Sequence, residues 1–323
     1  MSKIKIKSYG AYAPSKVVTN DDLSKLVDTS DEWIRQRTGI ERRHISEGED
    51  TSDLAIKACK KALERANLKG EDIDLIIVAT LTPDMCTPSV SCIVQKEIKA
   101  KGAMAFDINA ACSGFMFSMQ TAYALMESNG FKRALVVGVE LLSKIVDWED
   151  RSTCVLFGDG AGAVVLEETQ EERIAYFKSF SKGEKGDVLK CGSFDVENPF
   201  VKEKRVKNKK VKMEGSSVFK FAVVSMVKTI KELLAKANLQ IDDIDYIVPH
   251  QANKRIVYAA IDKLKADENK FYLNMAEYGN TSSASIPIAL NEMYEKGLLK
   301  EGQKIILVGF GGGLTVGSCL VEI

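Results

Sequence analysis

The sequence predicts an α/β protein built from two similar halves, on the basis of two observations. Helical and strand patterns alternate: residues 52–67 place apolar side chains on one helical face, and residues 75–79 form the continuous apolar run of a buried parallel strand. The chain also repeats itself at a constant offset of 171 residues. Because this period is far too long for a solenoid, it indicates a duplicated layered fold.

The duplication orders the predicted elements. Each half is predicted to run helix, strand, helix, strand, and we place the halves at residues 1–170 and 171–323. The segments that match at the offset of 171 are Ala66-Asn67-Leu68 with Ala237-Asn238-Leu239, Asp72-Ile73-Asp74 with Asp243-Ile244-Asp245, Asn109 with Asn280, and Val137-Gly138 with Val308-Gly309.

Two segments interrupt the repeat. Phe157-Gly158 pairs with Phe310-Gly311 at an offset of 153, so the first half holds 18 additional residues (171 − 153), roughly 139–156. An insertion beside a matched strand is a suitable place for substrate or subunit contacts. Residues 202–212, with seven basic residues and one acid, have no counterpart. Two interpretations stay open for them, a solvated hairpin and a docking patch for an acidic partner.

Composition excludes several classes of function. The 45 basic and 45 acidic residues cancel, whereas nucleic-acid binders carry a basic excess. No apolar run approaches the ~18 residues of a membrane helix. The N-terminus alternates Lys with Ile, which predicts a strand and lacks the apolar core of a signal peptide. We therefore expect a cytoplasmic protein without a nucleic-acid or membrane partner.

The cysteine and histidine content argues against a metal site. Seven cysteines at irregular spacing and two histidines form no CxxC motif and no Cys/His cluster. Most of the cysteines are expected to be small buried residues in a reducing compartment. No metal is predicted.

Three residues are candidates for chemistry. Cys112 lies where a helix is predicted to begin after a short strand, and a helix N-terminus favours thiolate and lowers the thiol pKa below ~8.5. His250 ends a buried strand, at the edge where α/β sheets bind ligands. Asn280 lies in the second half's counterpart of the Cys112 segment. Structural, non-catalytic roles stay open for all three residues: a buried inert cysteine, a structural histidine, and an asparagine in a turn or helix cap.

Two Gly-rich segments, residues 157–162 and 310–314, match neither a phosphate-binding loop nor a dinucleotide fingerprint. Glycines let backbone N–H groups approach a substrate closely, as an oxyanion hole requires. These segments are therefore candidates for an oxyanion-binding role.

Taken together, several motifs resemble the β-ketoacyl-acyl-carrier-protein synthase III family of condensing enzymes. The resemblance covers essentially the whole chain and implies a thiolase-like fold of two pseudo-symmetric halves in α-β-α-β-α layers. The motifs are Thr29-Ser-Asp-Glu-Trp-Ile34, Arg37-Thr-Gly39, Ala110-Ala-Cys-Ser-Gly114, Phe157-Gly-Asp-Gly-Ala-Gly162, Pro249-His-Gln-Ala-Asn253, Gly279-Asn-Thr-Ser282 and Phe310-Gly-Gly-Gly313.

The resemblance implies a decarboxylative Claisen condensation that starts type II fatty acid synthesis. Cys112 would take the acyl group from an acyl-CoA primer, and malonyl-acyl-carrier protein would then lose CO₂ and attack the acyl-cysteine to give 3-oxoacyl-acyl-carrier protein. His250 and Asn280 would complete the catalytic triad, and the backbone N–H groups of Cys112 and Gly312 would hold the oxyanion. Beyond the CoA thioester substrate, no cofactor is implied.

The resemblance also implies binding sites and a homodimer. Coenzyme A would contact Trp33, Arg37, Thr38, Arg151, Phe219, Ala252 and Asn253. The acyl pocket would include Thr87, Leu142 and Phe157. The acidic carrier protein would contact Gln251, Ala252, Asn253, Lys254, Arg255 and Lys220. Trp33 alone also suits a loop anchor in the core. Some short-chain members carry Phe where this chain has Thr87, so we predict that primers longer than acetyl are accepted.

Two rival functions remain. A relative in specialised metabolism, transferring an acyl group or making a different ketide, would share the fold and often the triad. A non-catalytic acyl-CoA or lipid-binding protein would have no need for all three catalytic side chains, which argues against it.

Overall fold

The computed structural model describes residues 2–203 and 206–323. Its strands are β1 (Ser2–Tyr12), β2 (Lys16–Thr19), β3 (Arg42–Ile45), β4 (Leu75–Ala79), β5 (Met104–Ile108), β6 (Arg133–Glu140), β7 (Gly160–Arg173), β8 (Ala175–Ser181), β9 (Leu189–Lys190), β10 (Lys212–Met213), β11 (Tyr246–Pro249), β12 (Lys304–Gly311) and β13 (Thr315–Glu322). Its helices are α1 (Asn20–Leu23), α2 (Asp31–Thr38), α3 (Thr51–Ala66), α4 (Val90–Glu97), α5 (Gly114–Asn129), α6 (Arg151–Cys154), α7 (Gly215–Ala237), α8 (Lys254–Leu264), α9 (Met275–Tyr278) and α10 (Ser285–Glu295).

Two mixed sheets form the framework. The first has the strand order β1-β7-β6-β4-β5, and the second has the order β11-β12-β13-β8. β4 runs parallel to β5 and β6, and β11 runs parallel to β12. The remaining pairings within these two sheets are antiparallel. The chain passes from β7 in the first sheet to β8 in the second at Ile174.

The layers follow from the apolar faces of the helices. α5 and α10 are packed between the two sheets, through Phe115, Met119 and Leu290 among others. α3 and α4 cover the outer face of the first sheet, and α7 and α8 cover the second. Because every sheet face must be buried against another element, this arrangement gives α-β-α-β-α layers. The predicted fold class is confirmed.

The repeat read from the sequence recurs in the backbone. β4 and β11 begin at Leu75 and Tyr246, which lie at the offset of 171. α3 and α7 end before Asn67 and Asn238, and both asparagines adopt the left-handed conformation with φ of 55°. Asparagine tolerates this conformation better than most residues, so it ends the helix in both halves.

The cysteines are less uniformly buried than expected. Cys59, Cys112, Cys154 and Cys319 are buried, but Cys86, Cys92 and Cys191 are exposed, and all seven are free thiols. Among the described residues, no group of three or more His, Cys, Asp or Glu side chains is placed to hold a metal ion. In residues 2–203 and 206–323, no helix combines the length and apolarity needed to cross a bilayer.

Between the two short strands of a hairpin lie residues 191–203 and 206–211, and the predicted basic segment 202–212 overlaps their C-terminal part and the first residue of β10. β9 pairs antiparallel with β10 at its base. Lys204 and Arg205, which belong to the predicted docking patch, lie outside the described residues. The loop exposes apolar side chains as well, including Phe194, Val196 and Phe200.

Candidate active site

Cys112 lies in a 3-10 turn, Ala111–Ser113, between β5 and α5. The turn packs against its counterpart in the second half, Ser282–Ala284, and against the end of β12. A Cβ added at Gly311 would lie 3.0 Å from Cys112 Sγ, so glycine is what allows β12 to approach the sulfur this closely. The backbone N–H groups of Cys112 and Gly312 lie close enough to the sulfur to favour its thiolate form and act to lower the thiol pKa.

The environment of the free protein raises the pKa of Cys112 to about 11. Burial is the main cause and the charge of Glu140 adds to it, while the Ser282 hydroxyl and the two backbone N–H groups act in the opposite direction. The sequence-based expectation of a lowered pKa was therefore wrong for the free protein. The α-helix begins only at Gly114, and desolvation of the buried thiol outweighs the donors.

His250 directly follows β11 and is buried. Its backbone N–H donates to Val308 O at 2.8 Å, and the edge of the Phe310 ring lies against the imidazole, with ring centroids 5.3 Å apart. Burial lowers the pKa of His250 to about 3, so the ring is neutral. Nδ1 lies 2.7 Å from Ser285 Oγ. Among the described residues, His250 Nδ1 is the acceptor available to the Ser285 hydroxyl proton, so we assign that proton to the bond with Nδ1 and the ring proton to Nε2.

Asn280 is held through its backbone beside the Gly-rich segment of the first half. Its N–H donates to Leu156 O at 2.8 Å, and its carbonyl accepts from Gly158 N at 3.0 Å. Its Oδ1 accepts from Ser282 N at 2.9 Å. The side-chain NH₂ is thereby left to donate toward a substrate.

These contacts connect the three candidate residues to one another. Gly311 adjoins Cys112, the neighbouring Phe310 touches His250, and Ser282 lies near the Cys112 sulfur and hydrogen-bonds the Asn280 amide. A buried thiol, a neutral imidazole and an oriented amide, with two backbone N–H groups aimed at the sulfur, form a constellation suited to acyl transfer.

Comparisons with known proteins agree with this chemistry. The family profile described as 3-oxoacyl-[acyl-carrier-protein] synthase III matches residues 106–183, and the profile of its C-terminal part matches residues 234–323. The β-ketoacyl-[acyl-carrier-protein] synthase III of Clostridium beijerinckii is 55% identical over the full length of both chains. This chain belongs to the β-ketoacyl-acyl-carrier-protein synthase III family.

Solved structures extend the synthase III likeness to the fold. The 3-oxoacyl-[acyl-carrier-protein] synthase III of Aquifex aeolicus superposes with a TM-score of 0.92 at 45% identity, covering 99% of this chain and 100% of that one. The priming β-ketosynthase of the R1128 polyketide biosynthetic pathway also gives 0.92, at 34% identity, over 99% of this chain and 96% of that one.

The residues expected to bind coenzyme A in a synthase III are partly assembled around Trp33. The Arg151 and Arg37 guanidinium carbons lie 5.1 Å and 5.8 Å from the centre of its ring. Arg151, from the 18-residue insertion, also donates to Asp28 O at 2.7 Å. Thr38 differs: its buried hydroxyl donates to Ile34 O and accepts from Ile40 N, so it is not available to a ligand.

The expected carrier-protein residues divide into exposed and buried ones. Lys254, Arg255 and Lys220 are exposed, as docking requires. Gln251 is buried: its amide donates to Pro249 O and Tyr272 O, and its Oε1 accepts from Asn274 N. The side-chain amide of Gln251 is therefore engaged within the chain, and its contact with a carrier protein stays a prediction.

Around the start of α8 the expected residues are less enclosed. Asn253 caps the helix, with its side-chain oxygen accepting from Arg255 N at 2.9 Å. Ala252 and the expected pantetheine contact Phe219 are partly buried. All three retain accessible surface that a ligand could cover.

The three residues expected to line the acyl pocket differ in their environment. Leu142 and Phe157 are buried in one apolar cluster. Thr87 is exposed on the loop before α4 and does not belong to that cluster. Their role in an acyl pocket stays a prediction.

Sequence reasoning missed the polar residues that support the site. Glu140 ends a strand whose other residues from 134 onward are apolar. This pattern could have indicated an acid in a buried position. Ser282 and Ser285 follow Asn280 in a run of small polar residues, which gave only a weak signal.

Proposed function

We propose that this protein condenses an acyl-CoA primer with malonyl-acyl-carrier protein, with loss of CO₂, to give 3-oxoacyl-acyl-carrier protein and so initiates type II fatty acid synthesis. The observation that carries the proposal is the set of contacts around Cys112. The sulfur faces the N–H groups of Cys112 and Gly312, and Ser282 ties it to the Asn280 amide.

In the first half-reaction the Cys112 thiolate attacks the thioester carbonyl of acyl-CoA. The backbone N–H groups of Cys112 and Gly312 stabilise the tetrahedral oxyanion, which collapses to acyl-cysteine and the CoA thiolate. The proton that the Cys112 thiol gives up is balanced by protonation of the departing CoA thiolate to CoA. Cys112 is the nucleophile of this step. The amide of Asn280 and the neutral imidazole of His250 act as hydrogen-bond donors and do not attack the substrate.

In the second half-reaction the thioester of malonyl-acyl-carrier protein accepts hydrogen bonds from His250 Nε2 and the Asn280 amide. Loss of CO₂ places negative charge on the thioester oxygen, and these donors stabilise the resulting enolate. A neutral histidine suits this role, since a buried imidazolium would be costly to keep in the free protein. The enolate carbon then attacks the acyl-cysteine and displaces the Cys112 thiolate.

Substrates would reach the site from the side of Trp33 and the basic residues of α8 and α7. Arg37, Arg151 and the flat Trp33 indole suit the adenine and phosphates of CoA. A cleft of about 380 Å³ beside Leu314 is lined in part by Lys182, Lys185 and Lys220, and also by the acids Glu184 and Asp187. Its three lysines exceed its two acids by one, and with the exposed Lys254 and Arg255 they give a net positive surface that suits an acidic carrier protein.

We also propose a cytoplasmic homodimer whose protomers each comprise halves 1–170 and 171–323. β5 is the edge strand of the first sheet and Met104 on it is 48% exposed, which leaves backbone groups open for pairing with a second copy. Such pairing would bring the loop of Thr87 near the partner's acyl pocket. Light scattering should give twice the chain mass, and a fully active monomer would contradict the proposal.

The activity is tested in two steps. The wild-type protein is incubated with acetyl-, butyryl- and branched acyl-CoA, and its intact mass should rise by one acyl group, whereas Cys112→Ser should stay unmodified. Malonyl-acyl-carrier protein is then added, and 3-oxoacyl-acyl-carrier protein should appear. Absence of any acylation would favour a non-catalytic acyl-CoA-binding protein.

A second candidate function is a ketide synthase of specialised metabolism. It is favoured by the likeness to the priming β-ketosynthase of the R1128 pathway. Acylation of Cys112 without any condensation product from malonyl-acyl-carrier protein and short acyl-CoA primers would support this candidate over the first.

A further inference from the structure

Glu140 is a buried carboxyl group to which the proposed reaction gives no role. It lies at the end of β6 and is 0% exposed. The hydroxyl of Thr82 donates to it at 2.7 Å and Leu81 N at 3.1 Å, and Ser282 and Ser283 donate from the second half at 3.1 Å each. All of these donors are neutral. Burial raises the pKa of Glu140 to about 7.

Ser282 connects Glu140 to two of the three proposed catalytic side chains. Its hydroxyl donates to Glu140 Oε1 at 3.1 Å, and its backbone N–H donates to Asn280 Oδ1 at 2.9 Å. The same hydroxyl is near enough to the Cys112 sulfur to act against the rise of the thiol pKa. Ser282 has a φ of 49°, in the left-handed region that a serine rarely adopts. Such a conformation persists only where neighbouring contacts hold it, and the bond to Glu140 is one such contact.

The protonation state of Glu140 determines which group receives the hydroxyl proton of Ser282. A hydroxyl carries one proton, so Ser282 donates either to Glu140 or to the Cys112 sulfur. An ionised Glu140 attracts that proton. A neutral Glu140 instead donates its own proton to Ser282 Oγ, which leaves the Ser282 proton for the sulfur. Two negative charges in one buried site also repel each other, so ionised Glu140 disfavours thiolate at Cys112.

We propose that Glu140 is a positioning residue for the condensing reaction: through Ser282 it holds the Asn280 amide in its donating orientation and couples its own charge to that of Cys112. This inference rests on the proposed function. The other titratable group of the triad, His250, is neutral, so Glu140 is the charged group that acts on the sulfur.

The test measures Cys112 alkylation by iodoacetamide as a function of pH, read on the Cys112 peptide by mass spectrometry because Cys86, Cys92 and Cys191 are also exposed. Glu140→Gln keeps the shape and removes the charge. Ser282→Ala removes the hydroxyl that stabilises the thiolate. The matched control is Asp159→Asn, another fully buried carboxyl, whose donors are Ser46 and Ser143.

Opposite shifts are expected for the two site variants. Glu140→Gln should move the alkylation profile to lower pH by roughly one pH unit, Ser282→Ala should move it to higher pH, and Asp159→Asn should leave it in place. General loosening of the fold would move all profiles in one direction. Coincident profiles, a shift of both site variants in one direction, or an equal shift in the control would overturn the proposal.

Decarboxylation of malonyl-acyl-carrier protein gives a second readout. Glu140→Gln should lower its kcat by about tenfold with KM retained, because the Gln amide has one acceptor oxygen where the carboxylate has two. It cannot accept from residues 81–82 and from residues 282–283 at once, so Ser282 and the Asn280 amide are held less firmly. Unchanged kcat would overturn the positioning of Asn280. The alkylation arm needs no substrate, so it judges Glu140 even if the proposed function fails. If Glu140→Gln does not fold, Ser282→Ala decides, and an unmoved Ser282→Ala profile overturns the proposal.

Discussion

Gly311→Ala should inactivate the proposed nucleophile without touching it chemically. Gly311 is the last residue of β12 and has no conformational need for glycine, since its φ lies outside the left-handed region. Glycine is needed at this position because there is no room for a side chain beside Cys112. An added Cβ would lie 2.7 Å from Cys112 Cβ and 3.0 Å from both Cys112 N and Cys112 Sγ.

The size of the effect follows from these distances. Carbon atoms in contact lie ~3.5 Å apart or more, so the two Cβ atoms would have to separate by about 0.8 Å. Cys112 and β12 are both packed in the interior, where an extra methyl group costs about 1–3 kcal/mol of folding stability. A displacement approaching 1 Å at the reacting atom lowers a rate by about 100-fold. We therefore expect Cys112 acylation to slow by about 100-fold while the protein still folds.

The assay is the rate of mass gain with acyl-CoA, followed together with thermal unfolding. Gly215→Ala is the matched control, because a Cβ there has no heavy atom within 4 Å, and it should acylate at the wild-type rate. Wild-type acylation by a folded Gly311→Ala protein would refute the reasoning. It would mean that β12 moves away from the sulfur at no cost.

Four further predictions concern the proposed triad, the ligand sites and pH. His250→Ala should lower malonyl decarboxylation by about 100-fold and leave Cys112 acylation largely intact, measured as ¹⁴CO₂ release against mass gain. Arg151→Ala should raise KM for acyl-CoA by about fivefold with kcat unchanged, and an unchanged KM would remove Arg151 from the CoA site. Thr87→Phe should suppress acylation by butyryl-CoA more than by acetyl-CoA; a butyryl-to-acetyl rate ratio unchanged from wild type would exclude Thr87 from the pocket. Because burial lowers the pKa of His250 to about 3, the unfolded chain binds its proton first, so this residue should cost stability as pH falls below ~6.5. Urea unfolding at pH 7 and pH 5 should show a smaller loss for His250→Asn than for wild type.

The duplicated fold was predictable because short segments of sequence determine where its helices and strands begin and end. Helix ends at Asn67 and Asn238, buried strands at β4 and β11, and the polar junctions before α5 and α10 all depend on short segments. The apolar pattern of each segment predicts its helix or strand, and the same pattern occurs in both halves, so each element could be recognised twice. The packing of α5 and α10 between the sheets follows once both sheets are recognised.

The candidate site was predictable as far as its motifs reach. His250 directly follows β11, Cys112 lies in the turn between β5 and α5, and Asn280 lies in the loop between α9 and α10, so each could be singled out from a short local motif. The role of Glu140 was not predicted because its hydrogen-bond donors include residues 58 to 143 positions away in the chain. The burial of Gln251 was missed for a similar reason, since Tyr272 and Asn274 lie 21 and 23 positions away in the chain. Thr38 has only local partners, and its burial was missed because tertiary packing determines which face of α2 is covered.

The raised pKa of Cys112 is compatible with its role as nucleophile, because the charge need not rest on the sulfur for long. In the free protein the N–H groups of Cys112 and Gly312 point at the sulfur. During attack the negative charge passes from the sulfur to the thioester oxygen, and an oxygen placed beside the sulfur meets the same fixed donors. A buried thiol is costly to ionise in advance, yet the site that makes it costly also excludes water from the oxyanion and strengthens every hydrogen bond to it. The desolvation that raises the thiol pKa and the stabilisation of the transition state therefore have one structural origin.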